Sequence, residues 1–312
     1  MAKWRYDNVR ALCAGTDPRL RASLRHAFGN QGMRGFKEVD NIGDLHSHLV
    51  GGEIDLLVTT LDMGGSDVGA LMQQLRHARV GENPFVVVVT LLETPDPVQA
   101  KRAVDAGTDD LLLMPFQPAQ LLERLDGFVF GRKPFVVTHD YIGPDRRGAD
   151  RTAAASAPRL EVPNPVRWQV VANASGPTLK EQVRDATDRL NVHKMKSYGG
   201  QICFLAERIA ATFGETASQG VIMPDIGALA EVGEDLARRM ANTNFAEATE
   251  LVVSLSALCE RIGREGRAPK AHEVGILPSL SRTIRRVLDE DPEAVSWSDT
   301  ALQLSQIFPG LR

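Results

Sequence analysis

The chain has 312 residues, of which 43% are hydrophobic and 24% charged, with a formal net charge of −4. This is the composition of ordinary globular domains, and the length suggests two of them or one with a large appendage. The slight negative charge gives no electrostatic reason for nucleic acid as a main partner, and no run approaches the roughly 20 apolar residues a membrane helix needs.

Residues 9–14 (VRALCA) read as a strand. Asp17-Pro18 then opens a helix in which Leu20, Leu24, Ala27 and Phe28 share one face. Residues 54–60 (IDLLVTT) form a near-continuous apolar run, the mark of a strand buried on both faces of a parallel sheet. Residues 84–90 (PFVVVVT) and 110–114 (DLLLM) repeat it, and helical patterns occupy 68–79, 97–106 and 118–130. Alternation of strand and helix with short connections gives an α/β, doubly wound parallel sheet, whose ligands sit at the carboxyl ends of the strands.

A connector is expected over 132–176. Its first part, 132–147 (RKPFVVTHDYIGPDRR), carries an apolar run able to dock back onto a domain. The following 148–158 (GADRTAAASAP) is small and polar, a flexible linker by composition. From 177 to 312 only helical patterns remain. Leu179, Val183, Ala186 and Leu190 form one stripe, and Ile202, Leu205, Ala206, Ile209 and Phe213 a second, with Gly199-Gly200 between them either as a break or as a place of close packing. Pro224-Asp225 opens a helix bearing Ile226, Leu229, Val232 and Leu236. Asn244 is placed to cap a helix over 245–262, and shorter helices are expected near 278–288 and 298–308. About five amphipathic helices with short loops read as an all-α, antiparallel bundle.

Several local patterns, all in register, resemble the receiver domain of bacterial response regulators. They are Ala14-Gly15-Thr16-Asp17-Pro18 after the first strand, and Thr60-Leu61-Asp62-Met63-Gly64-Gly65 at the end of the third. Thr90 follows the valines of the fourth strand, Ala106-Gly107-Thr108-Asp109-Asp110 forms a turn, and Met114-Pro115-Phe116 ends the fifth. The resemblance implies a five-stranded receiver (flavodoxin-like) domain at 1–131, ahead of the connector at 132–176 and the helical domain at 177–312. In that family three carboxylates hold a magnesium ion that screens an incoming phosphoryl group. Here the acidic pair is Gly15 and Thr16, the acceptor position is Thr60, and the lysine that would face the phosphoryl charge is Met114. Thr90 and Pro115 alone remain of the pocket. A threonine hydroxyl without a base beside it is a far weaker nucleophile, so aspartyl-phosphate chemistry is not expected. Asp17 and Asp62 could together bind a cation weakly. The preferred expectation is that Thr16, Thr60 and Thr90 close the pocket by hydrogen bonds while Met114 fills the lysine's place.

In the helical half, His193-Lys194-Met195-Lys196-Ser197 resembles a histidine phosphotransfer motif, with an apolar residue two positions on, Lys196 three on and a small residue four on. Residues three apart share a helix face, so Lys196 could attract a phosphoryl group on His193. His193 also continues the Leu179 to Leu190 stripe, which favours a half-buried packing histidine. The remaining histidines (His26, His46, His48, His77, His139, His272) have no spacing that suggests a zinc site. No phosphate loop or catalytic triad can be defended. Arg146-Arg147, beside Tyr141-Ile142-Gly143-Pro144, reads as a solvated pair or part of a docking segment. Arg282, Arg285 and Arg286 are the nearest approach to a DNA-reading helix, but Asp289, Glu290 and Asp291 follow at once.

Cys13, Cys203 and Cys259 are far apart and set in apolar runs, which reads as buried reduced thiols in a cytoplasmic protein. The opening MAKWRYDNVRAL lacks the apolar core of a secretory signal. The expected role is that of a non-enzymatic adaptor in bacterial two-component signalling, a pseudo-receiver without cofactor or metal. Its partners would be a histidine kinase, a phosphotransfer protein or another receiver, bound through the face from about residue 84 to 116, with the helical half as an output or homo-oligomerisation module. The alternative is a phosphorelay component using His193.

Overall fold

The computed structural model describes residues 4–147, 158–171, 176–216, 219–241, 243–264 and 269–289. They fall into two compact units, Met1–Leu190 and Asn191–Arg312.

The first unit begins β1 (Arg10–Ala14), α1 (Pro18–Gly29), β2 (Gly35–Val39), α2 (Ile42–Val50) and β3 (Leu56–Thr60). A hairpin of two short strands, β4 (Asp62–Met63) and β5 (Ser66–Asp67), leads into α3 (Val68–Arg76). Then come β6 (Val87–Leu92), α4 (Pro97–Asp105), β7 (Asp110–Leu113) and α5 (Pro118–Phe130). Five strands pair in parallel in the order β2-β1-β3-β6-β7, a doubly wound, flavodoxin-like sheet. Alternation of side chains along each strand feeds two cores. Ala11, Cys13, Leu56, Val58, Val87, Val89 and Leu91 pack with α1 and α5 on one face. Leu12, Ala14, Leu57, Val86 and Val88 pack with α2 and α3 on the other. Asp17 and Asp96 start α1 and α4 by accepting from the backbone amides of Arg19 and Val98, each followed by a proline whose missing N–H costs the first turn nothing.

In the first unit the run at 84–90 and the connector differ from the sequence expectation. The run at 84–90 enters the ladder only at Val87, because the carbonyls of Pro84, Phe85 and Val86 accept from arginine side chains instead of a neighbouring strand. The connector expected at 132–176 is folded in its described parts and belongs to the first unit, whose boundary falls at Leu190. It supplies β8 (Phe135–Val137), β9 (Ile142–Pro144) and β10 (Arg159–Leu160), an antiparallel sheet in the order β10-β8-β9, and then α6 (Pro165–Val170). Phe135, Val137, Ile142 and Leu160 form one apolar cluster with Phe85 and with Val183, Ala186 and Leu190, the stripe read from the sequence. The linker proper, residues 148–157, lies outside the described residues.

The second unit holds most of α7 (Leu179–Thr216), then α8 (Gln219–Met240), α9 (Thr249–Gly263) and α10 (Ala271–Asp289). Asn191 meets Arg239, Tyr198 meets Asp235 and Arg208 meets Asp225, so α7 and α8 run antiparallel. Gly263 lies against Met223 and Ile226 while Gly233 lies against Ser256, which sets α9 antiparallel to α8. Gly199 lies against Arg285 and Leu288 while Glu207 pairs with Arg282, which sets α10 antiparallel to α7. The result is an up-down-up-down arrangement around a core that includes Ile202, Leu229, Leu255, Leu277 and Ile284.

Gly199-Gly200 does not break α7. A Cβ at Gly199 would come within 3.3 Å of Leu288 Cδ1, so glycine here permits close approach of α10. Pro224 and Pro278 lie inside α8 and α10 rather than opening them. Asn244 does not cap a helix: a short 3₁₀ turn at Ala246–Ala248 precedes α9. The helix expected near 298–308 lies outside the described residues.

Candidate functional site

The strand ends of the first unit are where a doubly wound sheet binds ligands. Gly15 follows β1, buried, with its amide donating to the Val39 carbonyl at 3.1 Å. A Cβ there would meet only Leu20 Cδ2, at 3.9 Å, so packing leaves room for a side chain that the sequence does not supply. Thr16 is exposed, and Asp17 is engaged in capping α1. Arg21, one turn into α1, folds over this loop and donates to the carbonyls of Gly15 at 2.5 Å and Thr16 at 3.0 Å. A fixed guanidinium thus sits beside the two positions at which a receiver carries its acidic pair.

At the end of β3 the Thr60 hydroxyl donates to the Asp62 carbonyl at 2.8 Å, turned along its own chain. The residue opposite Thr60 in the ladder is Leu91; Thr90 pairs one step earlier with Thr59. With a side-chain period of two, Thr90 faces the other side of the sheet, where its hydroxyl donates to Thr108 Oγ1 at 2.9 Å. The expected closure by Thr16, Thr60 and Thr90 therefore does not form. Met114 extends β7, its amide donating to the Leu92 carbonyl at 2.8 Å, and its half-buried side chain packs on the α1/α5 core. Pro115 follows it, exposed, through a cis bond.

Asp62 does not join Asp17 around a cation. Arg102 of α4 grips it with two bonds of 2.8 Å and reaches Asp67 at 2.8 Å as well, tying both strands of the β4–β5 hairpin to α4. The guanidinium, by its hydrogen bonds first, holds the Asp62 carboxyl below its usual range against the opposing push of burial. Among the described residues no group of three or more His, Cys, Asp or Glu side chains could hold a metal. The site does not fit the magnesium ion of a phosphorylatable receiver, since the carboxylates that would ligate it are absent. Arg21 and Arg102 carried no local sequence signal: each is one arginine of an ordinary amphipathic helix.

The buried charges of the first unit lie at the opposite end of the sheet. Asp109, just before β7, accepts from Arg132 Nε at 2.7 Å and Nη2 at 2.9 Å, from Arg76 Nη2 at 2.9 Å and from the Val88 amide at 2.9 Å. All three side chains are at most 3% exposed. Burial alone would push the Asp109 carboxyl up, but Arg132 and Arg76 outweigh it and hold it below the usual carboxylate range. Burial brings the Arg76 guanidinium down to about 10, which leaves it charged at neutral pH. Arg146 donates to the carbonyls of Thr108 and Asp109, and Arg147 to Asp145, so this pair belongs to the docked segment.

In the second unit His193 is half-buried on α7, with Lys196 exposed one turn on. Between them Lys194 is wholly buried, its Nζ 4.7 Å from the centre of the Tyr198 ring. The Tyr198 hydroxyl donates to Asp235 at 2.6 Å, and Arg239 donates to the same carboxylate at 2.9 Å and to Asn191 at 2.6 Å. In the sequence Lys194 stands out only inside the His193 motif, and Asn191, Tyr198, Asp235 and Arg239 carry no pattern that pairs them.

Residues 11–126 match the response regulator receiver domain. Receiver domains are signalling modules of two-component systems, and the match covers the part of the first unit that holds the five-stranded sheet. Similar solved structures include the chemotaxis protein CheY4 of Vibrio cholerae, 15% identical, covering 38% of this chain and 97% of that one with a TM-score of 0.35. A receiver domain from Bermanella marisrubri is 22% identical over 38% of this chain and 95% of that one, TM-score 0.34. The receiver domain of the sensor histidine kinase PA1611 from Pseudomonas aeruginosa, solved with magnesium in its active-site cleft, is 18% identical over 38% and 98%, TM-score 0.33. No curated protein matches the chain. Among the described residues no helix is long and apolar enough to cross a membrane.

Proposed function

We propose that the chain is a non-phosphorylatable adaptor of two-component signalling, a pseudo-receiver that works by protein–protein contact. The observation that carries this reading is the chemistry of the strand ends. Gly15, Thr16, Thr60 and Met114 stand where acid pair, acceptor and lysine would be, Arg21 occupies the loop carbonyls, and Arg102 neutralises Asp62. Without carboxylate ligands for a metal ion or a carboxylate nucleophile, a phosphoryl group has neither an acceptor to bond nor a metal ion to screen its charge. The partner, a histidine kinase, phosphotransfer protein or another receiver, would meet the face formed by α4 and β7, where Val98 and Leu113 are exposed. The test is intact mass after incubation with acetyl phosphate and magnesium, under conditions that preserve acyl phosphates. No mass increase is expected, and a stoichiometric phosphate on the 1–131 fragment would end the proposal.

A second reading has its own support. The helical unit is an antiparallel four-helix arrangement with half-buried His193 and exposed Lys196 one turn apart. In this reading His193 accepts a phosphoryl group from a phosphorylated receiver. It predicts an acid-labile, base-stable label that His193→Gln abolishes; label that survives the substitution rules the reading out.

A further inference from the structure

The segment 132–147 belongs to neither the strand-end pocket nor the helical unit, yet it inserts Arg132 into the first unit's buried charge cluster and lays the exposed Arg146 over the backbone beside it. We propose that it is a clasp: it binds the root of the candidate partner face, where β6 and β7 begin, into one cooperative body with the first turns of α7. A change at that root would then be felt at residues 183–190. The clasp is a property of the chain itself and does not depend on the adaptor reading.

Arg132 is the pin. Besides its two bonds to Asp109, its Nη1 donates to the Phe85 carbonyl at 2.5 Å and the Pro163 carbonyl at 2.8 Å. One side chain therefore joins the residues before β6, before β7 and before α6. Arg146 is a second tie, donating to the carbonyls of Thr108 at 2.8 Å and Asp109 at 3.1 Å. Thr108 in turn accepts from Thr90 inside β6. Removing Arg132 leaves the buried Asp109 carboxylate and the Phe85 and Pro163 carbonyls without a shared donor, so these bonds are lost together rather than singly.

The apolar half of the clasp carries the connection onward. The Phe135 ring is fully buried, its centre 4.8 Å from the Arg132 guanidinium, 5.2 Å from that of Arg76 and 5.9 Å from the Phe85 ring. The same cluster contains Val183, Ala186 and Leu190 of α7. Backbones meet where glycine allows: a Cβ on Gly143 would lie 2.9 Å from Gly107 Cα, and one on Gly107 would lie 2.7 Å from the Ile142 carbonyl oxygen. Such a contact has little slack, so the β8–β9 hairpin and the turn before β7 move as one.

Hydrogen exchange on the full chain tests this, comparing the unsubstituted protein with Arg132→Met and with the milder Arg146→Ala. Exchange is expected to rise at least about tenfold at 86–88, 135–144 and 183–190 together, while amides in β1 and β3 keep their protection, as local opening of one cooperative unit requires. A rise confined to 132–147, with 183–190 unchanged in both variants, would overturn the proposal. So would equal loss of protection in β1 and β3 in both variants, since the segment would then be general scaffolding rather than a clasp.

Discussion

Asp109→Asn tests the buried charge cluster most sharply. The carboxylate accepts four bonds, three from guanidinium N–H groups and one from the Val88 amide. Asparagine keeps the shape but turns one acceptor into a donor, which must face Arg132, Arg76 or Val88, and it removes the charge that balances two cations. Breaking a buried pair by deleting one partner typically costs about 3–5 kcal/mol, since the remaining charge stays desolvated. The expected loss for the first unit is in that range. The assay is urea unfolding at neutral pH followed by tryptophan fluorescence in a Trp297→Phe background, which leaves Trp4 and Trp168, both in the first unit. The sign with pH follows from the depressed Asp109 carboxyl. Its stabilisation is fully present above the unfolded-state pKa and is lost as pH falls through the lower, folded-state value. The difference between parent and variant should therefore be flat at neutral pH and shrink in acid. A neutral-pH loss below about 1 kcal/mol, the value of an exposed pair, would refute the claim that Asp109 is a buried anion held by two guanidiniums.

Gly107→Ala should lower the urea midpoint clearly more than Gly64→Ala. Both positions have positive φ, +81° and +59°, and share a left-handed cost of about 1–2 kcal/mol. Only Gly107 would also drive a Cβ to 2.7 Å from a carbonyl oxygen, so equal losses would contradict the close approach of the hairpin. The thiols give a chemical test. Burial pushes Cys13 and Cys259 up to about 12, leaving both as neutral thiols at pH 8. Iodoacetamide should modify them slowly in the native chain and quickly in urea; rapid native labelling of either would show that its core is open.

The first-unit sheet was legible because its central strands are buried on both faces and so announce themselves as valine- and leucine-rich runs. β2 (GFKEV) was not marked, and the reason is its place at the sheet edge: only Val39 is fully buried, so the apolar signal is missing. The Arg146-Arg147 motif was visible as a motif but not as a fold element, because Arg146's acceptors are backbone carbonyls, which no sequence pattern displays. The absence of the acidic pair, acceptor aspartate and lysine could be read residue by residue. What surrounds those positions could not, since Arg21 and Arg102 reach the strand-end loops from helices α1 and α4, and Thr90 lies one step off the Thr60 register. In the helical half the stripes located α7 to α10, while Pro224 and Pro278 misled because proline commonly opens helices and here lies within them.

The distribution of charge across the sheet ties these findings together. A phosphorylatable receiver keeps uncompensated carboxylates at the carboxyl ends of its strands, a costly arrangement that a bound cation relieves. This chain has no such cluster there among its described residues. The fully buried carboxylates among the described residues of its first unit, Asp55 and Asp109, stand instead at the amino ends of β3 and β7, each already satisfied from within: Asp55 by the Arg10 amide and guanidinium, Asp109 by Arg76 and Arg132. Satisfied buried pairs specify a geometry and bind nothing further, whereas unsatisfied ones recruit ligands. Arg132 and Arg76 here tie the connector to the residues before β6 and β7 through Asp109 and the Phe85 carbonyl. If the adaptor reading holds, binding of a partner such as another receiver should have the same affinity with and without magnesium and acetyl phosphate, and an affinity that changes on their addition would refute it.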